Sequence, residues 1–180
     1  MTLIDSPKCK ELFPHEDTMN LNKFFGDPRG KNGEVSRAWF NENVVKWTPP
    51  YPLFYSDGKR TPLKTLYLHK KVVDVYSAAF TEVLQHFGQA HIKEFHLDIS
   101  GGAYNYRPMR GGTRLSVHSW AIAIDIDPAR NPFPARWKEG MLNRDFADIL
   151  MKHGIWWRGI PGDNDPMHFQ CAWQIGRAHV

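Results

Sequence analysis

Two stretches carry the apolar spacing of helices. Between His69 and Phe87 apolar side chains recur every three or four residues, which predicts an amphipathic helix, and Gly88 follows as a C-terminal stop. A shorter helix is predicted from Asn143, which can cap it, to His153, with Gly154 ending it.

Three other stretches alternate apolar and polar residues with the period of a half-buried strand. They are EFHLDIS (94–100), LSVHSWAIAIDID (115–127) and MHFQCAW (167–173). In the second, Ile122, Ile124 and Ile126 share one face, and alanines with Asp125 and Asp127 share the other. Strands and helices mixed without regular βαβ alternation predict an α+β fold, with a mainly antiparallel sheet flanked by helices.

The first third of the chain differs from the rest. Residues 1–68 are rich in Pro, Gly and Asn and show no sustained period. They are predicted to form an irregular N-terminal arm packed on a core of residues 69–180. At 180 residues, arm and core together fit a single domain.

Composition and charge narrow the class of protein. With 42% hydrophobic and 23% charged residues the chain is neither disordered nor a coiled coil, and no apolar run is long enough for a transmembrane segment. The net charge of +4 favours anionic surroundings, but the basic residues are scattered, so no nucleic-acid partner is expected.

The N-terminus lacks the pattern of a secretory signal, which predicts a cytoplasmic location in the producing cell. Cys9 and Cys171 are too few for a disulfide framework.

Candidate metal ligands lie within the apolar strands. In a straight strand His118 and Asp125 would be about 23 Å apart and on opposite faces. The chain must therefore bend between Ser119 and Ala121 if the two side chains are to share a metal ion. A third ligand can come from His168, and two histidines with one carboxylate form a catalytic type of zinc site that keeps one position for water.

The order and spacing of these residues resemble a family of zinc peptidases that cut peptidoglycan stem peptides. The resemblance covers roughly Leu66 to Trp173 and is carried by Ser116-Val-His118, six residues, Asp125, and then Asp165-Pro-Met-His168-Phe-Gln, with Gly101-Gly102-Ala-Tyr-Asn-Tyr-Arg107 upstream and Asn131-Pro132 after Asp125. The family includes D-alanyl-D-alanine carboxypeptidases, vancomycin-resistance dipeptidases and phage L-alanyl-D-glutamate endolysins. Its metal-site fold is shared with the hedgehog signalling domain. The phage endolysin-like branch is the most similar.

The resemblance implies a zinc ion held by His118, Asp125 and His168, with Asp165 as the catalytic carboxylate. Asp127, which shares the predicted strand face of Asp125, is the alternative carboxylate ligand and is less favoured. Because the bound ion lowers the pKa of a water ligand towards about 7, hydroxide becomes available as the nucleophile. Asp165 can take the proton of that water and return it to the leaving amine.

The resemblance also assigns residues to the substrate. Arg107 takes the position of an arginine that stabilises the oxyanion or holds a substrate carboxylate, and Ser116 that of a substrate-contacting serine. The chain departs from the family at Ala121, where glycine is usual. A methyl group at that position restricts positive φ, so the geometry of the bend is in question.

We therefore expect a zinc metallopeptidase of peptidoglycan stem peptides, and specifically an L-alanyl-D-glutamate endopeptidase. A D-alanyl-D-alanine carboxypeptidase is the alternative with the same metal chemistry. An alternative of another class is a non-catalytic cell-wall-binding or virion structural module, against which Asp165 argues because a binder has no need of that carboxylate. The protein is expected to be monomeric, to act on the wall after release or as part of a virion, and to be attracted by anionic wall polymers.

Overall fold

The computed structural model describes residues 2–175. The helices of this part of the chain are α1 (Pro7–Leu12), α2 (Thr18–Phe25), α3 (Arg37–Asn43), α4 (Val73–Glu94) and α5 (Arg144–His153). Its strands are β1 (Val44–Trp47), β2 (Phe54–Tyr55), β3 (Leu66–His69), β4 (Ile99–Gly102), β5 (Ala123–Ile126), β6 (Trp156–Trp157) and β7 (His168–Gln170). A 3₁₀ turn spans Val117–Trp120.

A five-stranded sheet carries the centre of the fold. Its strand order is β2-β4-β5-β7-β6, and every neighbouring pair is antiparallel except β2 and β4. A separate antiparallel pair joins β1 to β3. The predicted α+β class with mainly antiparallel strands is confirmed. The likeness of this fold to the hedgehog domain stays a prediction.

Strand β5 is fixed to the core by its apolar face. Ile122, Ile124 and Ile126 are fully buried, and each contributes about 1.5–3 kcal/mol of hydrophobic stabilisation. Helix α4 reaches this strand through Tyr76, whose hydroxyl donates to the carbonyl of Ile122 at 2.9 Å. The polar face of β5 is therefore held in one position, with β4 and β7 as its neighbours.

Helix α4 continues beyond the predicted stop at Gly88. Gly88 does leave the helical conformation, with φ 73° and ψ 162°, but a further helical segment follows and ends at Glu94. The predicted strand over 94–100 is wrong for most of its length, because residues 95–98 form a turn and β4 begins only at Ile99. In this turn the N–H of Leu97 donates to the carbonyl of Ile92 near the end of α4, and the Leu97 side chain is buried. The alternation of apolar and polar residues therefore reflects the packing of a turn.

The first 68 residues are more regular than the sequence predicts. Helices α1, α2 and α3 lie there, and each begins at a side-chain cap: Ser6, Asp17 and Ser36. These helices have six to eight residues, too few to show a sustained apolar period. The division into an arm and a core at residue 68 stays a prediction.

Two features of residues 2–175 bear on the expectations from composition: the state of the cysteines and the character of the helices. Cys9 and Cys171 are buried free thiols. Among the described residues, no helix combines the length and apolar character that crossing a membrane requires.

Candidate metal centre

The chain bends sharply just before β5. Ser116 begins the 3₁₀ turn, and its hydroxyl accepts a hydrogen bond from the backbone N–H of His118 at 3.3 Å. The turn ends at Ala121, which takes the left-handed conformation with φ 58° and ψ 39°. The bend expected between Ser119 and Ala121 is thus present, and it returns His118 to the polar face of β5.

Ala121 adopts the conformation that favours glycine. Its backbone is held on both sides, since its N–H donates to the carbonyl of His118 at 3.1 Å and its carbonyl accepts from His69 N–H at 2.7 Å. A non-glycine residue in the left-handed region costs roughly 1–2 kcal/mol. Alanine therefore makes the same bend as glycine, with strain that these backbone bonds offset.

Three side chains converge at the bend. The Nε2 atom of His118 lies 3.2 Å from Oδ2 of Asp125, and Nδ1 of His168 lies 3.1 Å from Oδ1 of the same carboxylate. Antiparallel pairing of β5 with β7 places Asp125 directly opposite His168. Both histidines are about 5% exposed or less, and the three side chains form a group that could hold a metal ion.

Hydrogen bonds on the far side of each ring define which nitrogen is free. Nδ1 of His118 lies 2.6 Å from the carbonyl of Ala103, and Nε2 of His168 lies 2.8 Å from Oε1 of Gln170. Because both oxygens are acceptors, these ring nitrogens carry the protons. In the neutral rings, the remaining nitrogens are bare, and both face Asp125.

This arrangement fits a metal ion. In the neutral rings, the two bare nitrogens and the carboxylate all present lone pairs, which is the donor set that binds a metal cation. One ligand atom from each of the three residues lies within 4.8 Å of the others, so the group is compact enough to be bridged by one ion. Burial raises the pKa of Asp125, but protonated rings at His118 and His168 would outweigh burial through their charge and hydrogen bonds and hold that pKa far below its usual range.

Asp127 is not part of the group. It has φ 48°, and its backbone N–H donates to the carbonyl of Ile99 at 2.9 Å. Its carboxylate pairs with Arg130 at 3.0 Å instead of facing the histidines. The positive φ turns the chain out of the strand after Ile126, so the shared strand face that made Asp127 a candidate ends before it.

Asp165 lies beside the three side chains and lines the same cleft. Its backbone carbonyl accepts from His168 N–H at 3.0 Å, which fixes its distance from that ring. Burial raises the pKa of its carboxyl group. Arg158 approaches this carboxylate to 4.0 Å while making two closer bonds, of 2.9 and 3.1 Å, with Asp163.

Arg107 and Ser116 also line the cleft. The backbone carbonyl of Arg107 accepts a hydrogen bond from the N–H of Ser116 at 2.9 Å. The backbone N–H of Arg107 donates to the hydroxyl of Ser119 at 3.1 Å. Its guanidinium donates to the carbonyl of Pro108 and, within residues 2–175, forms no ion pair with a carboxylate. Arg107 is therefore available to an anionic group, whereas the hydroxyl of Ser116 already caps the 3₁₀ turn.

Two cavities of the cleft meet at the candidate ligands. Two adjoining cavities share His118, Asp125 and Met167 in their walls. One is also lined by Asp165 and His168, and the other by Gly101 and Gly102 at the end of β4 and by Tyr104 after it.

Sequence reasoning missed several residues of this site. Gln170 had only its place on the polar face of β7 as a signal, and Arg158 had none. Glu16, which lies in the cleft wall next to Gln170, is separated from it by 154 residues and belongs to no motif.

Residues 110–171 match a family model described as D-alanyl-D-alanine carboxypeptidase. The matched segment is shorter than half of the chain, but it contains the three candidate ligands and Asp165, while Arg107 lies just upstream. Searches of curated proteins and of solved structures gave no match to the chain.

Proposed function

We propose that this protein is a zinc-dependent peptidase that hydrolyses the stem peptides of peptidoglycan. The observation that carries the proposal is the buried group of His118, Asp125 and His168, in which each histidine places a ring nitrogen within 3.2 Å of one carboxylate. This group lies inside the segment that matches the carboxypeptidase family. Three protein ligands leave a fourth position open, as catalytic zinc sites do.

The bound zinc would supply a Lewis acid and a water of lowered pKa. The two imidazoles and the carboxylate would hold it, and the hydrogen bonds to Ala103 and Gln170 keep the rings in the tautomers that expose the correct nitrogens.

Asp165 moves the proton in this proposal. Its carboxylate lies in the cleft, and burial raises its pKa above that of an ordinary aspartate, which makes it a better proton acceptor. Arg158, 4.0 Å away, carries a positive charge that limits this rise. Asp165 is thereby suited to accept a proton from the attacking water and donate it to the leaving amine.

Arg107 is the residue that we assign to substrate charge. Its guanidinium has no carboxylate partner among residues 2–175, and it borders both cavities of the cleft. A planar guanidinium binds a carboxylate or a developing oxyanion through two parallel bonds. In a stem peptide the D-glutamate residue carries such a carboxylate.

The shape of the cleft supports an L-alanyl-D-glutamate endopeptidase. An endopeptidase must accommodate several residues on each side of the bond, and two adjoining cavities share His118 and Asp125 in their walls. A D-alanyl-D-alanine carboxypeptidase needs room for one residue on the leaving side, and the description of the matching family favours this second candidate.

Mass spectrometry of digested peptidoglycan distinguishes the two. Cleavage of the L-alanyl-D-glutamate bond releases peptides with a new D-glutamate amino terminus. Removal of a terminal D-alanine instead shortens the stem by one residue and frees the amino acid. If the protein sediments with peptidoglycan and releases neither product in the presence of zinc, the peptidase proposal is wrong and a wall-binding module takes its place.

A further inference from the structure

The segment just before α2 is hydrogen-bonded to the residues that follow β7. The N–H of Glu16 donates to the carbonyl of Trp173 at 3.0 Å, and the N–H of Trp173 donates to the carbonyl of Pro14 at 3.1 Å. The rings of His15 and Trp173 are in edge-on contact, with centroids 4.8 Å apart. The backbone of Glu16 is thus fixed to Trp173, three residues after the end of β7, and Glu16 lines the same cleft as the candidate ligands.

The side chain of Glu16 reaches into the support of the metal centre. Its Oε2 atom accepts a hydrogen bond from Nε2 of Gln170 at 2.9 Å, and its Oε1 atom accepts one from Nε2 of Gln174 at 2.9 Å. Arg114 donates to its backbone carbonyl at 3.1 Å. Only 20% of the side chain is exposed.

These contacts use up the hydrogens of the Gln170 amide. Its Nε2 atom donates both to Glu16 and to the carbonyl of Ala172, the latter at 2.8 Å. The amide has two N–H donors, so none remains for His168. Its Oε1 atom is therefore the group that faces Nε2 of His168, and that ring nitrogen must carry the proton.

We propose that Glu16 is a positioning residue for the metal centre. It holds the Gln170 amide in one orientation, and Gln170 in turn holds His168 in the tautomer whose Nδ1 is bare and faces Asp125. The inference rests on the metal site of the proposed function. It gives the segment before α2, which the family match does not cover, a direct part in that site.

The alternative orientation of the amide shows why Glu16 matters. If the Gln170 amide turned over, its N–H would face His168 and its oxygen would face the carbonyl of Ala172. His168 would then accept at Nε2 and, as a neutral ring, carry its proton at Nδ1, where the metal binds. Glu16 and Ala172 both oppose this reversal, since each is an acceptor that requires a donor from Gln170.

Zinc affinity in the absence of substrate tests the inference. Zinc dissociation constants of the full chain are measured by competition with a chromophoric chelator. Loss of a group that orients a metal-bound histidine typically weakens binding about 10–100-fold, so Gln170→Leu should fall in that range and Glu16→Ala should cost about tenfold. Glu16→Gln keeps an acceptor oxygen and should stay near wild type. Glu11→Ala removes an exposed carboxylate of the same segment and is the matched control for charge.

A double variant and a spectroscopic signature separate positioning from a general structural effect. If Glu16 acts through Gln170, adding Glu16→Ala to Gln170→Leu should weaken zinc binding no further, whereas independent effects would multiply. In the Co²⁺-loaded protein, the proton NMR signal of His168 Nε2–H should exchange with water faster in Glu16→Ala than in wild type or Glu11→Ala.

The outcomes are distinguishable from failure of the proposed function. Wild-type protein that binds zinc, together with Glu16→Ala of unchanged affinity and unchanged Nε2–H exchange, overturns the positioning role alone. Multiplicative effects in the double variant overturn it as well. Wild-type protein that binds no zinc overturns both the positioning role and the metal site on which it depends.

Discussion

Ser116→Ala separates the two roles that Ser116 can have. The structure gives its hydroxyl the cap of the 3₁₀ turn that carries His118, through a 3.3 Å bond to the His118 N–H. Loss of such a cap lowers the free energy of unfolding by about 0.5–2 kcal/mol. Because this bond is long, we expect a loss of about 1 kcal/mol. For a chain of this size that loss lowers the melting temperature by about 2–4 °C.

The assay is thermal unfolding of the metal-free protein, with Ser116→Thr as the matched control because threonine also caps. Ser116→Ala should melt below wild type and Ser116→Thr close to it. A residue that only contacts substrate, the role that the resemblance implies, would raise KM and leave unfolding unchanged. A wild-type melting temperature for Ser116→Ala would therefore refute the capping argument.

Three further outcomes are expected. Zinc at a hundred times its dissociation constant stabilises the fold by about 2.7 kcal/mol, which corresponds to a rise of about 5–11 °C in melting temperature. We expect this rise in wild type and in His153→Ala but not in His168→Ala. An equal rise in all three proteins would contradict the metal site. The bonds from Asn20 lower the pKa of Asp17 from 3.8 to about 2, so its charge stabilises the fold above about pH 4 and ceases to do so as the pH falls through 2. The destabilisation by Asp17→Ala, about 1 kcal/mol at neutral pH in denaturant titrations, should shrink over that window, and a constant difference would contradict the assignment. Because the chain carries a charge of +4, sedimentation with peptidoglycan should weaken as salt rises, and salt-independent sedimentation would rule out attraction by anionic wall polymers.

The candidate ligands were named through the family resemblance, because the spacing of His118 and Asp125 in a straight strand would keep them apart. A histidine and an aspartate seven positions apart can meet only across a bend, and the 3₁₀ turn with Ala121 supplies it. His168 was accessible because antiparallel neighbours place residues opposite one another, and its polar face was visible in the alternation of MHFQCAW.

The supporting residues were inaccessible for equally physical reasons. The contact of Glu16 with Gln170 depends on how a distant segment docks, and no local pattern encodes docking. The turn over residues 95–98 imitated a strand because Phe95, Leu97 and Ile99 alternate with polar residues in the sequence, although burial does not alternate and Leu97 and Asp98 are both buried. The short helices α1 to α3 could have been found from their caps at Ser6, Asp17 and Ser36, which are local signals.

The most direct test of the central claim is release of new amino termini from purified peptidoglycan by chelator-treated protein, before and after one equivalent of zinc, with Asp165→Asn in parallel. The account predicts that zinc restores release in wild type, while Asp165→Asn binds zinc with similar affinity and releases nothing. Release by the chelated protein, undiminished release by Asp165→Asn, or no release by zinc-loaded wild type would contradict it.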